Sequence, residues 1–111
     1  MGGKPRGSLA DAVCAMVQGM IDGVVATAVE GGRVELSRRT RFATLEPAAD
    51  HVRVLFEHGD VLPDPGGVLR ERRYAEVRSR ADLDDRGLRT VFAAALYDDD
   101  TLGFRRRRRS E

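Results

Sequence analysis

The sequence has few of the residues that typify disulfide-rich, membrane-spanning or disordered proteins. Its 111 residues include one Cys, four Pro and no Trp, and aromatic residues make up 5%. A single Cys cannot form a disulfide within the chain, so a domain held together by disulfides is excluded. No apolar run approaches the roughly 20 residues that cross a bilayer. With 41% hydrophobic and 33% charged residues, the composition is that of one small globular domain.

Positive charge is distributed unevenly along the chain. Lys and Arg number 19 against 18 Asp and Glu, a formal net charge of +1. Residues 105–111 hold five Arg and one Glu, so the rest of the chain has 14 basic and 17 acidic residues, a net charge of −3. Because dense like charges repel one another, we predict a disordered tail over residues 105–111. Such a tail is expected to bind polyanions at low salt without sequence preference.

The ends of the chain set the expected domain limits. Residues 1–7 are Gly-rich and basic, and we interpret them as a flexible N-terminus ahead of one domain spanning residues 8–104. The segment that follows carries Asp11, Gln18 and Asp22, where a secretory signal needs an uninterrupted apolar core. The sequence therefore favours a cytoplasmic protein with no membrane partner.

Two amphipathic segments predict helices at the two ends of the domain. The first runs from Ser8 to about Ala28, with apolar residues every three or four positions and a capping box formed by Ser8 and Asp11. The last begins near Asp82–Asp85 and runs to about Tyr97, where the acids at its start favour the positive end of the helix dipole. The run Asp98–Asp100 is expected to be solvated.

Period-2 patterns between the helices predict strands. Four segments qualify: Arg33–Leu36, Arg41–Glu46, His51–Glu57 and Arg73–Ser79. The third is the strongest, since Val52, Val54 and Phe56 alternate with polar residues, and Pro47–Asp50 fits the hairpin before it. We predict an α+β two-layer sandwich with an N-terminal helix, an antiparallel meander of about four to five strands and a C-terminal helix.

Three strings within this order of elements resemble a known family. They are SRRTRFATLEP, DHVRVLFEHGD and RRYAEVRSRADLDDRGLRTVFAAALYD. The stretch from Val34 to Tyr97 resembles a small bacterial family, the domain of unknown function numbered 5655, which is similar to YdhG-like, frataxin-like proteins. The resemblance implies a fold of helices on a sheet. Through some YdhG-like relatives it also implies an iron-chaperone role for carboxylates on the first helix, here Asp11, Asp22 and Glu30.

The residues offer little for catalysis, and we predict a protein that is not an enzyme and needs no cofactor. Cys14 falls on the apolar side of the first helix, where a thiol packs as a small hydrophobe. No phosphate-binding loop, Ser-His-Asp pattern or zinc spacing is present. His58, Asp60 and Asp64 lie close in sequence and suit a divalent cation, although Asp in such loops more often serves turn geometry.

Binding through arginine has better support from the sequence. The candidate residues for a nucleic acid or an acidic protein are Arg38, Arg39, Arg41, Arg53, Arg73, Tyr74, Arg78, Arg105, Arg106, Arg107, Arg108 and Arg109. Arginines at alternate strand positions share one face and can follow phosphates, but the glutamates among them equally predict cross-strand ion pairs.

The leading hypothesis is an interaction module that engages an acidic partner through a charged sheet face and the Arg tail. The alternatives are a non-specific nucleic-acid-binding protein and a frataxin-like iron-binding chaperone. Self-association through an edge strand such as Arg73–Ser79 is a further option.

Overall fold

The structure, a computed structural model, describes the backbone of residues 8–110 and the side chains of residues 8–99. Along the chain, one helix precedes five strands and a second helix follows them. Their bounds are Leu9–Met20 (α1), Val25–Ala28 (β1), Val34–Ser37 (β2), Arg41–Pro47 (β3), Val52–Phe56 (β4), Tyr74–Val77 (β5) and Arg86–Ser110 (α2). No helix in this described part is long and apolar enough to cross a membrane.

The five strands form one antiparallel sheet in the order β1-β2-β3-β4-β5. Each strand pairs with the next along the chain, which makes the sheet a meander and confirms the predicted α+β class. The hairpin between β3 and β4 is closed by a hydrogen bond from Ala48 N to His51 O. A register shift occurs beside the β2–β3 turn, where Leu36 pairs with Ala43 and Ser37 pairs with Arg41, so that Phe42 is an extra residue in β3.

One face of the sheet carries the core. The buried residues of β4 are Val52, Val54 and Phe56, at alternate positions, and those of β5 follow the same period. They form a single cluster with the apolar stripes of both helices, so α1 and α2 cover the same face. Across this interface the ring of Phe56 meets the ring of Phe92 edge to face, with centroids 5.1 Å apart. The molecule is therefore a two-layer sandwich.

Helix α1 begins as predicted and ends earlier than predicted. The Ser8 side chain accepts a hydrogen bond from Asp11 N, and the Asp11 carboxylate accepts one from Ser8 N, which completes the capping box. The prediction that this helix continues to Ala28 is wrong, because it stops at Met20 and residues 25–28 form β1. Gly23 has a φ of +94°, which a right-handed helix cannot accommodate.

Helix α2 extends beyond the predicted end near Tyr97. It begins where the Asp85 carboxylate accepts a hydrogen bond from Leu88 N at 2.9 Å, and its backbone is helical to Ser110. This helical backbone includes residues 105–110, for which the sequence predicts a disordered tail.

A buried carboxylate connects α2 to the sheet. Asp99 is 2% exposed, so the prediction that residues 98–100 are all solvated is wrong for this residue. Its Oδ2 accepts a hydrogen bond from Arg39 N at 2.9 Å, and its Oδ1 accepts one from Thr40 N at 3.0 Å and another from the Thr40 hydroxyl. Three donors from the β2–β3 turn thus satisfy a charge that would otherwise be costly to bury.

We expect Asp99→Asn to destabilise the fold by about 2–4 kcal/mol, because an amide removes the charge and places an NH2 donor among other donors. Thr40→Val removes only the hydroxyl and should cost about 1–2 kcal/mol. Urea titrations followed by circular dichroism measure both changes. Asp84→Asn, at an exposed position, is the control and should change stability by less than about 0.5 kcal/mol. Equal stability of Asp99→Asn and Asp84→Asn would contradict the structural role of Asp99.

Two glycines should respond to alanine with opposite signs. A Cβ at Gly59 would lie 2.7 Å from the carbonyl oxygen of Arg72, so Gly59→Ala should destabilise the protein by about 1–3 kcal/mol through backbone overpacking. A Cβ at Gly19 in α1 meets nothing within 4 Å, so Gly19→Ala should stabilise it by about 1 kcal/mol through helix propensity. Thermal unfolding of both variants tests this difference in sign.

Candidate functional site

The face of the sheet opposite the helices, called the outer face below, carries alternating charge. Strand register places Glu46, Arg53 and Glu76 in one row across β3, β4 and β5. A second row runs through Glu35, Thr44, Leu55 and Tyr74. All of these residues are half-buried. The outer face is therefore a mixed surface of acids and arginines.

Arg41 is paired from two sides. Its Nε lies 2.8 Å from the Glu57 carboxylate, and its NH1 lies 3.1 Å from the carboxylate of Glu35. The hydrogen bond with Glu57, then the charge of Glu57 and the hydrogen bond with Glu35, raise the pKa of the Arg41 guanidinium. At this position the ion-pair interpretation is correct, since both carboxylates compete with any phosphate.

Arg53 lies over an aromatic ring. Its guanidinium carbon is 4.3 Å from the centroid of the Tyr74 ring, a cation–π contact between neighbouring strands. Tyr74 is one of the candidate residues for binding a nucleic acid or an acidic protein. Arg53 occupies one face of its ring, so that face is closed to a partner.

Arg78 belongs to a third cluster, at the end of β5. Its NH2 lies 3.0 Å from the Glu76 carboxylate, and its NH1 lies 3.5 Å from the Asp50 carboxylate. Arg70 approaches the same Glu76 at 3.8 Å. Two arginines thus share one carboxylate that is only 15% exposed.

Arg38 and Arg39 occupy the β2–β3 turn, while Arg73 directly precedes β5. The Arg38 Nε donates to the carbonyl oxygen of Asp22 at 2.9 Å, and the backbone N–H of Arg39 donates to Asp99. Arg73 is exposed and lines an open depression of about 520 Å³ together with Arg41. Arg105–Arg109 fall in the helical backbone of α2, and their side chains lie outside the described residues. The predicted arginines are therefore spread over the outer face, the β2–β3 turn, the start of β5 and helix α2, and do not form one site.

The predicted metal ligands are not brought together. Within residues 8–99, no three His, Cys, Asp or Glu side chains form a group that could hold a metal ion. The Asp64 carboxylate accepts hydrogen bonds from Val68 N at 2.9 Å and Leu69 N at 2.8 Å, which organises its own loop. The set of His58, Asp60 and Asp64 is thus corrected in favour of the turn interpretation.

The carboxylates expected on the first helix are also separated. Only Asp11 belongs to α1, where it serves the capping box. Asp22 follows the end of the helix, and Glu30 lies in a short 3-10 turn after β1. The prediction that placed Asp22 on the first helix, and Glu30 at its end, depended on a helix that continued to about Ala28.

Cys14 is buried, as predicted. Desolvation by burial, followed by the charge of Asp11, raises the pKa of its thiol. A raised thiol pKa leaves less thiolate at neutral pH, so this side chain is a poor nucleophile.

Sequence reasoning missed a cluster at the end of the β3–β4 hairpin. The His51 Nδ1 and the Asp50 carboxylate lie 2.7 Å apart, and Arg78 reaches the other oxygen of Asp50. These residues line a pocket of about 360 Å³ beside Ser8 at the start of α1. The strand register would have indicated this cluster, because pairing of Val52 with Val77 places His51 opposite Arg78.

Comparison of the chain with protein-family models, curated proteins and solved structures finds no match.

The Asp50 contacts predict a pH effect on stability. The hydrogen bond with the His51 ring, and less strongly the charge of Arg78, lower the pKa of the Asp50 carboxyl below its ordinary value. A carboxyl with a lowered pKa in the folded state adds stability above its unfolded pKa, and this stability is lost as the pH falls through the folded pKa. Asp50→Asn should flatten the acid limb of stability plotted against pH, while Asp60→Asn should leave it steep. Urea midpoints between neutral and acidic pH measure both variants, and identical profiles for wild type and Asp50→Asn would refute the effect.

Proposed function

We propose that the protein is a non-enzymatic interaction module that binds an acidic protein segment through a basic end formed by Arg38, Arg39 and Arg105–Arg109. The observation that supports it most directly is the Asp99 contact. Asp99 holds the backbone of Arg39 and Thr40 against α2, so the turn that carries two arginines adjoins the helix that carries five more.

The spacing along α2 supports the inference that these two groups of arginines belong to one region of the molecule. Arg105 follows Asp99 by six residues, about 9 Å along a helix that rises about 1.5 Å per residue. Residues outside 105–111 have a net charge of −3, so attraction of an anionic partner depends on where positive charge is concentrated. The basic end provides that concentration in one region.

The outer face supports an auxiliary role rather than the principal one. Arg41 and Arg78 each contact two carboxylates, and Arg53 stacks on Tyr74. Recognition of nucleic acid by a sheet uses unpaired arginines for phosphates and open aromatic rings for bases. The contacts on this face favour an acidic polypeptide over a nucleic acid as the partner.

The absence of catalysis is part of the same proposal. Cys14, the single thiol of the chain, is buried with a raised pKa. Ser8 lies in the pocket of His51, but its hydroxyl already accepts the capping hydrogen bond from Asp11 N. The binding role therefore has more structural support than a nucleophilic one.

We expect a fluorescently labelled Glu/Asp-rich peptide to bind the full chain more tightly than a random DNA duplex carrying the same number of charges. Affinity for the peptide should weaken with salt, since the contacts are electrostatic. Changing all five of Arg105–Arg109 to Gln keeps helix-forming residues and should weaken binding about tenfold or more. The double change Arg38→Gln with Arg39→Gln should weaken it about threefold.

The matched control is Arg53→Gln, which removes one arginine of the outer face and should leave peptide affinity within about twofold of wild type. Melting temperatures confirm that each variant is folded. Equal or tighter binding of DNA would favour the nucleic-acid alternative, and equal losses in Arg53→Gln and the five-Gln variant would exclude the basic end as the site.

A further inference from the structure

The two edges of the sheet differ in how they are protected. At β5, the start of the edge is covered by backbone hydrogen bonds between Arg70 and Tyr74, at 2.7 and 3.2 Å. The Asp82 carboxylate accepts a hydrogen bond from Arg78 N at 2.8 Å and covers the other end. This strand is the edge that the sequence suggested for self-association. Its protection makes it a poor template for another strand.

Strand β1 forms the opposite edge and lacks such protection. Its four residues carry no charge and no proline, and all four are exposed, with Val25 at 54%. Val29 N donates to Arg33 O, so residues 25, 27 and 29 direct their backbone groups toward β2. The N–H and C=O groups of Ala26 and Ala28 therefore point away from the sheet. No hydrogen bond in the described part of the chain occupies them.

We propose that β1 pairs with β1 of a second copy of this chain, in antiparallel orientation about a twofold axis at Thr27. Ala26 of one copy then exchanges backbone hydrogen bonds with Ala28 of the other. The twofold axis generates the same exchange between Ala28 of the first copy and Ala26 of the second. The two five-stranded sheets become one continuous sheet. The backbone pairing of β1 uses neither Arg39 nor Arg105–Arg109, and Arg38 approaches only its ends, so the interface is distinct from the acidic-partner proposal.

The side chains of β1 are self-complementary in this register. On the outer face, Thr27 lies opposite Thr27 of the second copy, and Val25 lies opposite Val29 of the second copy. These are β-branched pairs, which favour cross-strand packing. On the inner face, Ala26 meets Ala28, so the strands can approach without steric conflict. A strand with this pattern is matched better by itself than by an arbitrary peptide.

The charges near the axis do not oppose the pairing. Glu35 on β2 would lie three strand spacings from Glu35 of the second copy, about 14 Å, beyond the screening length of about 8 Å in physiological salt. At each end of the paired strands, two segments approach each other. One is the turn of the first copy that contains Glu30 and Arg33. The other is the segment of the second copy in which the carbonyl oxygen of Asp22 accepts a hydrogen bond from Arg38. Each of these groups contains one acid and one arginine, so the ends are balanced in charge.

Sedimentation equilibrium of the full chain tests the proposal. The apparent molar mass should rise with concentration from that of a 12.2 kDa monomer toward twice that value. Thr27→Lys places two lysines directly opposite each other and should weaken the dimer about tenfold or more, as should Thr27→Glu. An equimolar mixture of these two variants should regain dimerisation, because Lys then faces Glu. Thr44→Lys, on the same face but inside the sheet, is the control and should dimerise like the wild type.

Cross-linking gives a second, geometric test. Thr27 falls at a pair without backbone hydrogen bonds, where Cα atoms lie about 4.5 Å apart, a distance that suits a disulfide. Thr27→Cys should form a disulfide-linked dimer under mild oxidation, and Thr44→Cys should not. A wild type that stays monomeric at all concentrations, a dimer that Thr27→Lys leaves intact, or equal cross-linking at positions 27 and 44 would each overturn the proposal.

Discussion

The arrangement of the molecule depends on one buried carboxylate. Asp99 projects from the middle of α2 and accepts hydrogen bonds from two backbone N–H groups and a hydroxyl of the β2–β3 turn. A charge that is 2% exposed must have partners, and here they come from residues 59 and 60 positions away in the sequence. This contact fixes where α2 crosses the sheet, and hence where its arginine-rich end emerges.

A second constraint is the pairing of charges on the sheet. Arg41 contacts both Glu35 and Glu57, and Glu76 is shared by Arg70 and Arg78. The arginines in these pairs are largely exposed, so the pairs add little to stability, but they reduce the positive field of the outer face. A surface that looks basic from its arginine count is thereby close to neutral. The outer face therefore adds little net positive charge, and the surplus of arginine in the sequence belongs to residues 105–109.

Local patterns in the sequence predicted most of the fold. The alternation from His51 to Glu57 indicated β4, and Ser8 with Asp11 indicated the start of α1, because both signals depend only on near neighbours. The end of α1 was not predictable in the same way. Val24 continues the apolar period of the helix and is buried, although its backbone already leads into β1. The two elements are separated by the backbone alone, which is extended at Ile21 and has a positive φ at Gly23.

The candidate site was less predictable, since its partners are distant in sequence. The burial of Asp99 depends on a turn in another part of the chain, and nothing next to it in sequence distinguishes it from Asp98. The contact of Arg78 with Asp50 likewise follows from strand register rather than from a local motif. Composition identified arginine as the residue type of interest, and the tertiary contacts determined which arginines pair with which carboxylates.

The meander also sets the order in which parts of the molecule can fold during synthesis. Every strand pairs with its neighbour in sequence, so the sheet through Val77 can assemble from successive hairpins. Helix α2 starts only at Arg86, and until it emerges from the ribosome Phe56 lacks the ring of Phe92. A nascent chain at this stage exposes apolar sheet surface beside the unprotected strand β1. The last quarter of the chain therefore closes the core and ends the period in which the growing protein is most prone to associate with others.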